Sequence, residues 1–68
     1  MSLITVENIT TIKKGSLVKY KFLYQNEFFF GIFLKHTEDY NFSYIIELLS
    51  ENNTIDYVPL NQLILQTY

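Results

Sequence analysis

The only side chains that together resemble a catalytic or metal-binding group are His36, Glu38 and Asp39. An imidazole nitrogen and two carboxylates can bind a divalent metal, and the same groups transfer protons in catalysis. On a strand, however, residues 36 and 38 lie on one face and residue 39 lies on the other. We therefore interpret this cluster as part of a solvated acidic loop and expect neither a metal site nor a catalytic residue there.

The composition of the 68-residue chain excludes other reactive sites. It contains no Cys, so it has no disulfide, no thiolate zinc site and no cysteine nucleophile. It also contains no Arg, which removes the bidentate fork for phosphate or carboxylate. The four serines lack a recognisable partner base, and no phosphate-cradling glycine loop is present. We predict a chain that binds, is not an enzyme, and uses no cofactor.

Five lysines and two nearby tyrosines are candidates for a basic, aromatic surface: Lys13, Lys14, Lys19, Lys21 and Lys35, beside Tyr20 and Tyr24. Sites for single-stranded nucleic acid combine a positive groove with stacking rings. All five lysines lie in the first 35 residues, whereas five of the seven acidic residues lie after them. Because the net charge is -2 and nucleic-acid binders usually carry a basic excess, we keep nucleic-acid binding as the alternative hypothesis.

The apolar residues alternate along the chain with the period of β-strands. The pattern predicts five strands, over residues 17–24, 28–36, 42–50, 54–58 and 64–67, and five short strands joined by hairpin turns in a chain of this length favour a small antiparallel barrel. A polar loop is expected over residues 37–41, and Pro59 should stop the fourth strand before a 3₁₀ turn near residues 59–63. The first fourteen residues fit either an edge strand or a short helix, and their β-branched side chains favour strand or irregular structure.

The alternation also assigns the faces of the strands. The predicted core face carries Val18, Tyr20, Phe22, Tyr24, Phe28, Phe30, Ile32, Leu34, Phe42, Tyr44, Ile46 and Leu48. The opposite face carries apolar side chains that a small barrel cannot bury, namely Phe29, Phe33, Ile45 and Leu49. Gly31 in mid-strand predicts a bulge, a bend or a close backbone approach. We expect the opposite face, with Pro59 and Asn61, to bind a protein partner or a second copy of the chain.

Two segments carry a resemblance to a known family. Lys13–Val18 resembles the start of the second strand of Src-homology-3 domains, where a turn with lysine and glycine precedes an apolar strand. Asp56–Leu63 is similar to that family's closing segment, an aromatic–aliphatic–Pro–x–Asn run. The resemblance implies a single small antiparallel Src-homology-3-like β-barrel over residues 1–68. The family's N-terminal motif and paired tryptophans are missing, and only Pro59 and Asn61 match its proline-peptide groove.

We therefore predict a small protein-interaction module. Abundant Ile, Asn, Phe, Tyr, Lys and Leu track AT-rich codons, which favours the genome of a bacteriophage or of a low-GC microbe. We expect a phage accessory or host-modulating protein in the first case. The N-terminus lacks the basic region and long apolar run of a signal peptide, and no segment has 18 consecutive apolar residues, so we expect a cytoplasmic protein without a membrane partner. Besides nucleic-acid binding, the chain could hold a small ligand between the subunits of an oligomer.

Overall fold

The computed structural model describes residues 2–38 and 44–68 and shows five antiparallel strands in one sheet. The strands are β1 (Leu17–Phe22), β2 (Phe29–Glu38), β3 (Tyr44–Ser50), β4 (Ile55–Pro59) and β5 (Leu63–Thr67). Their order across the sheet is β4-β3-β2-β1-β5, so β5 returns to lie beside β1. The predicted all-β fold with five antiparallel strands is confirmed. Within the described residues, hydrogen bonds do not close the sheet into the predicted barrel.

Most strand boundaries lie close to the predicted ones. The 3₁₀ turn between β4 and β5 is confirmed at Leu60–Gln62. β1 ends at Phe22, two residues earlier than expected, and β2 continues to Glu38. The loop predicted over residues 37–41 was therefore wrong at its first two positions, and its remainder lies outside the described residues. The predicted start of the third strand, residues 42 and 43, lies outside them as well.

The core covers one face of the sheet, which we call the inner face. Its buried side chains come from every strand, from the 3₁₀ turn and from the N-terminal segment: Ile4, Ile9, Val18, Tyr20, Phe33, Ile46, Leu48, Val58, Leu60, Leu63 and Leu65. The alternation of β1 and β3 therefore predicted their inner faces correctly at Val18, Tyr20, Ile46 and Leu48. Tyr24, predicted to be core, lies in the turn after β1 and is 82% exposed.

The faces of the first half of β2, residues 29–33, are reversed relative to the prediction. Phe33, expected on the face that the core cannot use, is a core residue with only 2% of its surface exposed. Phe30, expected in the core, is 40% exposed on the opposite face, which we call the outer face. The reason is that both faces of this strand are apolar, so alternation alone cannot choose between them.

A close contact at Gly31 explains the orientation that β2 adopts. Gly31 lies opposite Val18 on the inner face, and a Cβ atom there would be 3.0 Å from Cε1 of Tyr20. It would also be 3.0 Å from the carbonyl oxygen of Leu49. The Tyr20 ring thus occupies the space that any larger residue at position 31 would fill. The predicted close backbone approach at this glycine is confirmed.

A bulge in β2 changes which residues point inward. The register with β3 shifts between Phe33 and Lys35, so Leu34 is an extra residue in the ladder. Beyond the shift, His36 lies opposite the buried Ile46. Odd-numbered residues therefore face the core before the bulge and even-numbered residues face it afterwards, because a single inserted residue reverses the alternation.

The N-terminal segment protects one edge of the sheet. The amide of Ile4 donates to the carbonyl of Leu65 over 2.7 Å, and the amide of Thr67 donates to the carbonyl of Ser2 over 2.8 Å. Residues 2–4 therefore run along β5, in agreement with the predicted strand-like or irregular start. The segment then contributes Ile9 to the core from a short 3₁₀ turn, Ile9–Thr11.

Gly31→Ala tests the contact that orients β2. We expect a loss of about 1–3 kcal/mol in the free energy of unfolding, because the added methyl group is forced against an aromatic ring and a backbone carbonyl. Urea denaturation measures the loss. Thr37→Ala, on the same strand but exposed, is the matched control and should change stability by less than about 0.5 kcal/mol. Equal stability of Gly31→Ala and the wild type would contradict the contact.

Phe33→Ala and Phe30→Ala test the reversed faces. Removal of the buried ring should cost about 3–5 kcal/mol, a large part of the stability that a domain of this size can have. Removal of the exposed ring should cost about 1 kcal/mol. Thermal unfolding followed by circular dichroism measures both. The opposite ranking of the two variants would restore the orientation that alternation suggests.

Candidate interaction surface

A row of apolar side chains crosses the outer face of the sheet. In the strand register, Leu17 lies opposite Ile32, Ile32 lies opposite Leu49, and Leu49 lies opposite Ile55. Residues directly opposite each other in antiparallel strands share a face, so these four side chains form a line across β1, β2, β3 and β4. The row continues beyond β1 at Tyr68, whose amide donates to the carbonyl of Leu17 over 3.2 Å.

Phe30 adds a ring beside this row. It lies two residues from Ile32 on β2, and its ring centroid is 5.4 Å from that of Tyr68 in an edge-on arrangement. We call the six side chains the outer patch: Leu17, Phe30, Ile32, Leu49, Ile55 and Tyr68. Four of them are substantially exposed, including Ile55 at 49% and Tyr68 at 69%. A shallow depression of about 160 Å³ lies between β1, β2 and β3 at the centre of the patch.

Opposite charges border the patch on its two sides. Lys19 on β1 lies opposite Phe30 in the ladder. On the β3 side, Oε1 of Glu51 accepts a hydrogen bond from the amide of Phe30 over 2.9 Å. Phe30 therefore has a cationic neighbour on one side and an anionic neighbour on the other. On the other side of the row, Lys35 and Glu47 form an ion pair in which Nζ of Lys35 lies 3.4 Å from Oε2 of Glu47.

Two of the predicted partner-binding residues lie on the core side of β2. Phe33 is buried and cannot meet a partner, so its assignment to an exposed face is corrected. Phe29 also lies on the inner side, opposite Tyr20, with ring centroids 6.1 Å apart. It stands at the beginning of the strand, where the core ends, and remains 39% exposed.

The other predicted residues are divided between the patch and its surroundings. Leu49 belongs to the outer patch. Ile45 lies on the same face of β3, opposite Pro59, but Glu47 separates it from Leu49. Asn61 is exposed in the 3₁₀ turn and lies apart from the patch. The structure thus does not bring the six predicted residues together into one surface.

Sequence reasoning missed five members of the patch, Leu17, Phe30, Ile32, Ile55 and Tyr68. Gly31 was the available signal. A glycine within an apolar strand often marks a place where another group approaches the backbone closely. If the side of the strand that carries Gly31 is taken as the core side, Phe30 and Ile32 are predicted to lie on the outer face.

The five lysines do not form one stripe. The Nζ atoms of Lys19 and Lys21 lie 4.5 Å and 5.8 Å from the ring centroid of Phe28, a cation–π arrangement. Lys35 is on the far side of the apolar row, paired with Glu47. Lys13 and Lys14 are exposed in the segment before β1. The apolar row thus separates Lys19 and Lys21 on β1 from Lys35 on β2.

The rings proposed to stack nucleotides are also separated. Tyr20 is buried, so its proposed place on a basic surface was wrong. Tyr24 is exposed, but its ring is stacked on that of Phe22 with centroids 5.6 Å apart. One accessible ring therefore remains of the two that were predicted.

The predicted His36, Glu38 and Asp39 cluster is only partly described. The ring of His36 lies beside aromatic rings, 5.4 Å from the centroid of Tyr44 and 6.3 Å from that of Phe33. Glu38 is exposed near the end of β2, and Asp39 lies outside the described residues. In residues 2–38 and 44–68, no three acidic or histidine side chains are grouped as metal ligands.

Comparisons with protein families, with curated proteins and with solved structures found no match to this chain. Among the described residues, no helix has the length and apolar character needed to cross a membrane.

Among the described residues, Tyr20 is a titratable group whose pKa its surroundings clearly shift. Its pKa is raised above the usual tyrosine value, first because burial disfavours the charged phenolate and then because Asp56 and Glu51 are negative neighbours. The folded state therefore holds the phenol proton more tightly than the unfolded state does. This stabilising contribution is fully present below about pH 10 and is lost as the pH rises through the raised pKa of the folded protein.

Tyr20→Phe should make the alkaline loss of stability shallower. Wild-type stability is expected to fall between about pH 9 and about pH 11, because loss of the phenol proton lowers the free energy of the unfolded state before that of the folded state. The phenylalanine variant lacks that proton, so its urea midpoint should fall less over the same range. Tyr57→Phe, at an exposed tyrosine, is the control and should follow the wild type. Parallel curves for all three proteins would contradict the role of Tyr20.

Proposed function

We propose that this chain is a non-catalytic protein-interaction module whose outer patch binds another protein surface. The apolar row that crosses the sheet carries this proposal. Small soluble domains seldom leave a contiguous apolar strip of this kind in water, and such strips often mark binding sites. The patch replaces the surface around Phe29 and Phe33 as the proposed contact region.

The composition of the patch supports protein binding. Aromatic and aliphatic side chains form its centre, and charged side chains lie at its border, as in the core and rim of a protein interface. Phe30 and Tyr68 supply rings that can serve as anchors. Each square ångström of apolar surface removed from water contributes roughly 25 cal/mol before the cost of association is subtracted.

A Src-homology-3-like architecture is part of the same proposal. The five antiparallel strands and the 3₁₀ turn between β4 and β5 support it. A small sheet of this kind carries many unrelated functions, so the function is argued from the patch and not from the fold.

Photo-crosslinking in living cells tests the proposal. A photoreactive phenylalanine analogue placed at position 30 should form a covalent adduct with a protein when irradiated in cells that express the chain. The analogue placed at Leu23, an exposed apolar position in the turn after β1, is the matched control and should give no such adduct.

Substitutions within the patch make the same test quantitative. Leu17→Ser and Ile55→Ser, introduced separately into the chain with the analogue at position 30, should each lower the adduct yield about tenfold, since each removes roughly 1–2 kcal/mol of apolar burial. Both residues are exposed, so circular dichroism should show an unchanged fold. An adduct at position 23 as strong as that at position 30, or no protein adduct at position 30, would contradict the proposed function.

A further inference from the structure

We propose that a second copy of this chain occupies the outer patch, with the two sheets face to face about a two-fold axis that runs along β2. The inference rests on the proposed function, because it names the partner of the same patch. It is carried by the arrangement of charges around Phe30 in addition to the apolar row.

The charges at the border of the patch are complementary to themselves. β2 is the central strand of the sheet, with β1 and Lys19 on one side and β3 and Glu51 on the other. A rotation of 180° about an axis along β2 exchanges these two sides in the opposing copy. Lys19 then faces Glu51 of the partner subunit, and Glu51 faces Lys19 of the partner subunit. A two-fold interface repeats each contact, so the dimer gains two such pairs.

The same rotation matches the apolar side chains. Phe30 and Ile32 lie on the axis and each meets its own counterpart in the partner subunit. Leu17, on β1, lies over the position of Leu49, on β3. Ile55 and Tyr68, at the two ends of the row, lie over one another's positions. Every member of the outer patch therefore meets an apolar side chain.

On the far side of the row, the rotation sets Lys35 against Lys35 of the partner subunit, and the Glu47 carboxylate of each chain lies beside its own Lys35. The amide of Gly15 donates to the carbonyl of Phe33 over 2.7 Å, which places the segment before β1 beside that part of β2. An axis perpendicular to the strands would instead set Lys19 against the region of Gly15 and would produce no opposite-charge pair at Glu51.

The sheet is large enough for this interface. A stable protein interface of standard size buries about 800 Å² on each partner, which is about one-sixth of the 4722 Å² exposed by this chain. Two sheets pack face to face with their strands within about 30° of each other, which is the direction that an axis along β2 requires.

Charge reversal tests the dimer with purified protein. Light scattering and analytical ultracentrifugation should show a dimer for the wild type at micromolar concentration. Lys19→Glu and Glu51→Lys should each weaken the dimer at least about tenfold, because each variant sets two pairs of like charges against each other. Glu7→Lys, a reversal at an exposed position of the N-terminal segment, is the control and should remain dimeric.

Mixing the two single variants gives the decisive result. In the mixed dimer, the carboxylate introduced at position 19 of one chain faces the ammonium introduced at position 51 of the other. The remaining pair is the original one, Lys19 against Glu51, so the dimer should return to near wild-type affinity. Neither altered folding nor a change within one chain can produce this rescue. If Glu51→Lys does not fold, Glu51→Gln replaces it, because its amide oxygen can still accept from the amide of Phe30. Mixed with Lys19→Glu, it leaves one original pair and one neutral pair, so the mixed dimer should be tighter than the Lys19→Glu homodimer.

Two outcomes would overturn the dimer. One is a wild-type chain that stays monomeric at about 100 μM, and the other is a mixture of the single variants that remains monomeric while the wild type dimerises. The crosslinking experiment separates this failure from failure of the proposed function. An adduct at position 30 with a mass other than that of two chains would keep the patch as an interaction surface and reject the second copy as its occupant.

Discussion

The packing of the Tyr20 ring over Gly31 determines much of this structure. Because the ring fills the space above the glycine, the side of β2 that carries Gly31 must face the core. Phe33 then follows into the interior, and Phe30 and Ile32 are left on the outside. The outer patch is thus a consequence of a contact within the core. A chain that buried the other face of β2 would expose a different set of rings and a different surface to its partners.

The sequence predicts those features of the fold that local polarity determines. Lys19 and Glu47 each mark one face of a strand as polar, so alternation identified the buried neighbours of both correctly. The run of Asp56–Leu63 likewise predicted the 3₁₀ turn. β2 has no polar face in its first half, and the choice between its faces is made by a ring on another strand. Alternation does not predict the inserted residue Leu34 either, because a bulge depends on how the strand pairs with its neighbour, here β3.

The candidate surface was harder to predict because its members meet only through strand pairing. Leu17 and Ile55 are far apart in the chain, and three separate registers align them in one row. Strand pairing also places the charges, which are unevenly distributed along the sequence, on different sides of the sheet. Lys19 and Lys21 from the first half lie on β1, whereas Glu47 on β3 and Glu51 directly after it come from the second half. The outer face therefore has Lys19 on one side of Phe30 and Glu51 on the other.

The pairing of the N-terminal segment with β5 has a mechanical consequence. Two hydrogen bonds connect Ser2 and Thr67. The amide of Thr67 donates to the carbonyl of Ser2, and the amide of Ser2 donates to Oγ1 of Thr67 over 2.9 Å. The two segments run antiparallel, so a force that pulls the ends of the chain apart acts along these hydrogen bonds and loads them one after another. A chain stretched from its ends would therefore lose the hydrogen bonds between Ser2 and Thr67 before the one between Ile4 and Leu65.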